Sequence, residues 1–126
     1  MMTDDRQPSV LIVDDHDGFR AFARMLLEAA GFAVTEAATG AEATKVAGRV
    51  RPTLVLLDIG LPDIDGFEVA RQLVGAHQEG PIVVLTSTRE ASDYGALVTS
   101  SPAAGFLPKE QLSGVALRCY LAGNRQ

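Results

Sequence analysis

LVLLDIGLPDIDGFEV, residues 54–69, changes character twice. Residues 54–57 are apolar without alternation, the pattern of a short strand buried on both faces. The run stops at Asp58. Pro62, Asp63, Asp65 and Gly66 then supply turn chemistry, and residues 67–74 read as a helix that ends at Gly75. Asp63, Asp65 and Gly66 share part of a calcium-loop pattern. The remaining ligands and the terminal Glu are missing, so these three residues are read as a turn entering a helix.

The same strand-then-helix unit recurs in both directions. Apolar runs fall at 10–13, 33–37, 82–85 and 106–107. Phe19, Phe22, Ala23, Leu26 and Leu27 follow helical spacing, with Gly31 placed as a C-cap. Residues 41–47 lead to Gly48 and 112–121 to Gly123, while Pro52 and Pro81 shortly precede strands. A fourth helix at 92–99 is diluted by Tyr94, Gly95 and Thr99. Five nearly all-apolar strands separated by crossover helices predict an α/β domain: a (βα)5 doubly wound, open parallel sheet with strand order 2-1-3-4-5. It should occupy residues 9–123, after a flexible N-terminus at 1–8 and before a short tail at 124–126.

A chain of 126 residues suits one domain. Its 47% hydrophobic and 21% charged residues are ordinary for a globular protein, and no apolar run is long enough to span a bilayer. Residues 1–7 are polar and lack the basic and apolar regions of a secretory signal, which points to the cytoplasm. The net charge of −5 with scattered basic residues argues against direct nucleic-acid binding. Cys119, the single cysteine, is expected to be a buried or half-buried thiol on a helix.

In an open parallel sheet, ligands bind beyond the carboxyl ends of the strands. There the chain places Asp14 and Asp15 after the first run, Asp58 after the third, Thr86 after the fourth and Lys109 after the fifth. With the first and third strands adjacent, three carboxylates share one pocket and raise one another's pKa. A hard divalent cation together with Lys109 balances their charge. Mg²⁺ suits a shallow site with few protein ligands and a phosphate oxygen. Asp58 then reads as the nucleophile of phosphoryl transfer, with Thr86 and Lys109 contacting phosphoryl oxygens. His16, beside the acidic pair, and His77 read as solvated histidines.

The stretches VLIVDDHDGFR, LVLLDIGLPDIDGFEV, VVLTS and GFLPKEQLS cover most of the chain and together resemble the receiver domain of two-component response regulators, the CheY-like family. That resemblance implies a flavodoxin-like fold and acceptance of a phosphoryl group on Asp58 from a sensor histidine kinase or phosphotransfer protein. It implies Mg²⁺ held by Asp15, Asp58 and the Gly60 carbonyl, with Asp14 acting through water. Thr86 and Phe106 are the switch residues it implies, with the surface from the fourth to the fifth helix as output and phosphorylation-dependent dimerisation as one outcome. Such a protein is a signalling switch that catalyses its own modification rather than an enzyme on other substrates. Many receivers follow the lysine with proline; here Glu110 follows Lys109 and Pro108 precedes it. Proline there fits the edge position of the fifth strand.

Other readings compete. A phosphorylation-independent interaction module needs no acceptor chemistry, yet no acceptor or metal residue is missing. A haloacid dehalogenase-like phosphatase wants an acid two positions after its nucleophile, where this chain has Gly60. A flavodoxin-like carrier wants its phosphate loop after the first strand, whereas Thr86, Ser87 and Thr88 follow the fourth. A standalone receiver and one that acts through a missing output domain are both compatible with the sequence.

Overall fold

The computed structural model describes residues 7–75, 80–88 and 100–123, with side chains to residue 121. The expected helix at 92–99, His77, most of the N-terminal segment and the tail at 124–126 lie outside them. Strands β1 (Ser9–Val13), β2 (Ala33–Ala37), β3 (Leu54–Asp58), β4 (Ile82–Ser87) and β5 (Gly105–Pro108) form one parallel sheet. The order is β2-β1-β3-β4-β5, as the sequence predicts. Helices α1 (Asp17–Ala29), α2 (Gly40–Val50) and α3 (Gly66–Gly75) and a C-terminal helix (Gly114–Gly123) flank it, with a 3₁₀ turn at Lys109–Gln111. Every described peptide bond is trans.

Burial follows position in the sheet. Central β3 is buried throughout, whereas edge strand β2 begins exposed and is fully buried only at Ala37. On one face Leu11, Val13, Val55, Leu57, Val83 and Leu85 pack with Val46 of α2 and Phe67 and Leu73 of α3. On the other, Val10, Ile12, Leu54, Leu56 and Val84 pack with Leu27 of α1 and Leu117 of the C-terminal helix. Alternation along the strands sends successive apolar residues to opposite faces, so neither face can be left in water. That is the doubly wound arrangement.

The register levels the strand ends. Val13 pairs with Leu57, Asp58 with Thr86, and Thr86 with Leu107. Residues that immediately follow these apolar runs therefore reach one edge of the sheet together.

Two local expectations need correction. Helix α2 does not stop at Gly48 but runs to Val50 and ends at Arg51, in the left-handed region with φ 51°. Pro52 favours that end, because the right-handed helical region is disfavoured for a residue before proline. Gly48 is an exposed interior glycine where a Cβ would meet nothing within 4 Å, costing about 1 kcal/mol of helix propensity. Cys119 is exposed rather than buried. Ala116, Leu117, Tyr120 and Leu121 form the inner stripe of the C-terminal helix, which leaves 119 on the outer side. Gly31 ends α1 as expected, at φ 99°, with Phe32 N–H closing onto the Leu27 carbonyl at 3.0 Å.

Candidate functional site

Asp58 is the last residue of β3 and is almost fully buried. The chain leaves the strand under tight control. Ile59 N–H donates to the Thr86 carbonyl at 3.0 Å, and Gly66 N–H donates to the Ile59 carbonyl at 3.1 Å. A Cβ on Gly66 would lie 2.7 Å from Ile59 Cα and 2.8 Å from the Asp58 carbonyl oxygen. Only glycine lets α3 begin so close to the end of β3. Asp65 caps α3 by accepting from Phe67 N–H at 2.8 Å. Asp63 caps a different helix: its carboxylate accepts from Gly40 and Ala41 N–H at 2.9 and 3.1 Å, at the start of α2. Both aspartates are structural.

Asp14 follows β1 and is wholly buried. Its Oδ1 accepts from the backbone N–H of His16 at 2.8 Å. Its Oδ2 stands 2.7 Å from Lys109 Nζ, yet makes no hydrogen bond of acceptable direction. The contact is a buried ion pair, and Lys109 is the counter-charge of Asp14. Lys109 Nζ is farther from Asp58 Oδ2, at 3.7 Å, and lies over the Phe19 ring, 4.6 Å from its centre. Asp58 Oδ1 accepts from Gly60 N–H at 3.3 Å. Gly60 is exposed, and a Cβ there would meet nothing within 4 Å.

These surroundings push the Asp58 carboxyl above its ordinary pKa. Burial is the largest cause, the Asp14 charge the next, and Lys109 and the Gly60 N–H offset part of the rise. One ammonium among three carboxylates leaves two negative charges unbalanced, which a divalent cation would match. Ligand atoms of Asp14, Asp15, His16 and Asp58 all lie within 4.8 Å of one another. This set of carboxylate oxygens, with only Lys109 as counter-charge, fits a hard divalent ion.

The structure thus brings together Asp14, Asp15, Asp58 and Lys109, with Thr86 buried beside Asp58 in register. Phe106 stands apart: it is half-buried and packs in the cluster that contains Leu85, its carbonyl 3.4 Å from the Tyr120 hydroxyl. The reading of His16 as a solvated histidine is only half right. Its ring is 68% exposed, but Nδ1 stands 3.0 Å from Asp14 Oδ1 and 3.3 Å from Asp15 Oδ1. It is the N-cap of α1, which turns the ring back over the acidic pair. Adjacency to Asp14 and Asp15 was the available signal.

A doubly wound sheet that gathers an acidic pair, a strand-end aspartate and a lysine at its switch point defines the class: a CheY-like α/β domain. The family model of the response regulator receiver domain matches residues 10–116, and the chain belongs to that family. It is 42% identical to a Pseudomonas aeruginosa protein over 118 residues, which are 90% of this chain and 56% of that one. It is 38% identical to the transcriptional regulatory protein AfsQ1 of Streptomyces coelicolor over 68% of this chain and 38% of that protein. The chain therefore spans little more than half, or less, of these relatives' length. Among solved structures, the BeF3-activated N-terminal receiver domain of Klebsiella pneumoniae RstA is 27% identical, with a TM-score of 0.81 over 94% of this chain and 99% of that one.

Proposed function

We propose that this receiver accepts a phosphoryl group on Asp58 from a phosphohistidine of a sensor kinase or phosphotransfer protein. The observation that carries the proposal is the buried Asp58 carboxylate at the end of β3, bordered by a second buried carboxylate and bridged to it by Lys109. A purely structural aspartate has no use for that company. Asp58 Oδ forms the new O–P bond as the N–P bond breaks, and the electron pair remains on the leaving imidazole nitrogen. Lys109 reduces repulsion between the carboxylate and the incoming phosphoryl oxygens, and the Thr86 hydroxyl donates to one of them. Asp15, Asp58 and the Gly60 carbonyl would hold Mg²⁺, with Asp14 beside them. When bound, Mg²⁺ offsets negative charge on the phosphoryl oxygens.

In this reading Thr86 turns toward the phosphoryl group and Phe106 follows. The Tyr120 hydroxyl on the Phe106 carbonyl offers a route from β5 to the C-terminal helix. The surface formed by β5 and that helix then changes its partner, a protein, a second copy or an output domain, in the cytoplasm. Among the described residues no helix is long and apolar enough to cross a membrane.

Intact-protein mass spectrometry after incubation with a small phosphodonor, with and without Mg²⁺, tests the reading. One Mg²⁺-dependent phosphoryl adduct is expected on the wild type and none on Asp58→Asn. No adduct at short times, with a candidate kinase included, would instead make the chain a phosphorylation-independent interaction module.

A further inference from the structure

An ammonium is a point charge on a flexible stem, so two carboxylates attract that of Lys109 without fixing where between them it stands. It stands to one side: Nζ is 2.7 Å from Asp14 Oδ2 and 3.7 Å from Asp58 Oδ2. The second distance exceeds the roughly 2.7–2.9 Å of a charge-assisted hydrogen bond, so the ammonium does not occupy the Asp58 oxygen it faces. The Phe19 ring lies against the same ammonium, its centre 4.6 Å from Nζ, inside the range of about 6 Å over which the negative face of a ring attracts a cation. The ring is itself anchored. It is half-buried against the cluster that contains Leu27 and Leu117. Its helix is tied to Asp14 on both sides of Phe19: the His16 N–H donates to Asp14 Oδ1 at 2.8 Å, and Arg20 Nη1 donates to the Asp14 carbonyl at 2.7 Å. The ring is therefore placed by the acidic loop and α1, independently of the turn that carries Lys109.

Resting on the phosphoryl-transfer reading of this pocket, we propose that Phe19 is the positioning residue of Lys109: its ring face keeps the ammonium on the Asp14 side, where it meets an incoming phosphoryl oxygen, and off the Asp58 oxygen that attacks phosphorus. The transfer itself is unchanged. The Asp58 O–P bond forms as the donor's N–P bond breaks, and the electron pair stays on the leaving nitrogen. Without the ring, the ammonium is free to close onto Asp58 and occupy a lone pair that the new O–P bond needs, or to turn out toward water. Leucine would fill the same apolar space but offers no negative face, whereas tyrosine keeps the ring. The two substitutions separate the shape of Phe19 from its charge distribution.

The test follows adduct formation from phosphoramidate by intact-protein mass spectrometry, at saturating Mg²⁺, on the full chain as wild type, Phe19→Leu and Phe19→Tyr. Phe19→Leu should slow the reaction about fivefold, and Phe19→Tyr should stay within about twofold of wild type. Urea denaturation in chelator of Phe19→Leu, Lys109→Ala and the pair gives a readout that needs no phosphoryl transfer. The stability lost on Phe19→Leu should shrink by about half or more once Lys109 is gone. The proposal is overturned if Phe19→Leu keeps the wild-type rate, if Phe19→Tyr slows as much as Phe19→Leu, or if the two stability losses simply add. No adduct on the wild type would instead count against the receiver reading, and the stability cycle would still decide whether Phe19 holds Lys109.

Discussion

Two clusters of charge meet at Arg20 on this molecule, and they obey opposite rules. Along α1 and β2, Glu36 accepts from Arg20 Nε at 3.0 Å and Arg24 Nε at 2.6 Å. Arg24 also reaches Glu28, and Arg20 reaches Asp17. Each of these carboxylates has a guanidinium partner. Glu36 is accordingly held below its ordinary pKa, chiefly by the hydrogen bond from Arg24. In the pocket the same residue types are left short of cations, and Asp58 is pushed up. The difference separates a structural ion-pair network from a site that awaits a ligand. Arg20 joins the two, since its Nη1 donates to the Asp14 carbonyl at 2.7 Å.

The largest effect should come from removing the pocket's one ammonium. Lys109 is 12% exposed and faces the wholly buried Asp14, so Lys109→Met leaves buried carboxylates without a counter-charge. A loss of about 3 kcal/mol is expected by urea denaturation in chelator, with partial recovery when Mg²⁺ is added. Undiminished stability in chelator would mean that the pocket does not need the lysine as counterion.

Next in size is a backbone effect. Gly66→Ala places a methyl against the Asp58–Ile59 backbone, which cannot give way as a side chain would, and should cost about 2 kcal/mol. Gly60→Ala, where the same atom meets nothing, should stay within about 0.5 kcal/mol. Equal effects would show that the tight crossing at Gly66 does not position Asp58.

These contrasts also mark what a single sequence discloses. The five strands, their order and the arrival of Asp14, Asp15, Asp58, Thr86 and Lys109 at one edge were legible, because burial on both faces writes itself into uninterrupted apolar runs. Side-chain direction beyond a strand end was not. Asp63 caps a helix that begins 23 residues earlier in the chain, and His16, the N-cap of α1, lays its ring against Asp14 and Asp15. Gly48 looked like a terminus because glycine marks both stops and tolerated interior positions; Pro52 decided between them. The Arg20, Arg24 and Glu36 network was invisible because it joins a helix face to an edge strand through side chains whose spacing carries no period.

The smallest effects test the comparison most directly, because they should differ in sign. Asp58→Asn removes a charge that its surroundings oppose and should stabilise the metal-free protein by about 1 kcal/mol at neutral pH. Glu36→Gln removes a charge that two guanidiniums favour, and should destabilise it by a similar amount or less, since the network is partly exposed and screened. The pH dependence follows from the directions of the two shifts. Glu36 has its folded pKa below the ordinary 4.5, so its contribution is complete above that value and is lost as pH falls through the folded pKa. Asp58 has its folded pKa above the ordinary 3.8, so the folded state retains the proton longer. Its contribution is complete below 3.8 and is lost as pH rises through the folded pKa. Denaturation of both variants and wild type in chelator across the acid range should therefore show Glu36→Gln flattening a rise of stability with pH, and Asp58→Asn removing a fall. Slopes of the same sign would mean that the pocket, too, is a balanced ion-pair network, and its claim to a cation and a phosphoryl group would lose its electrostatic basis.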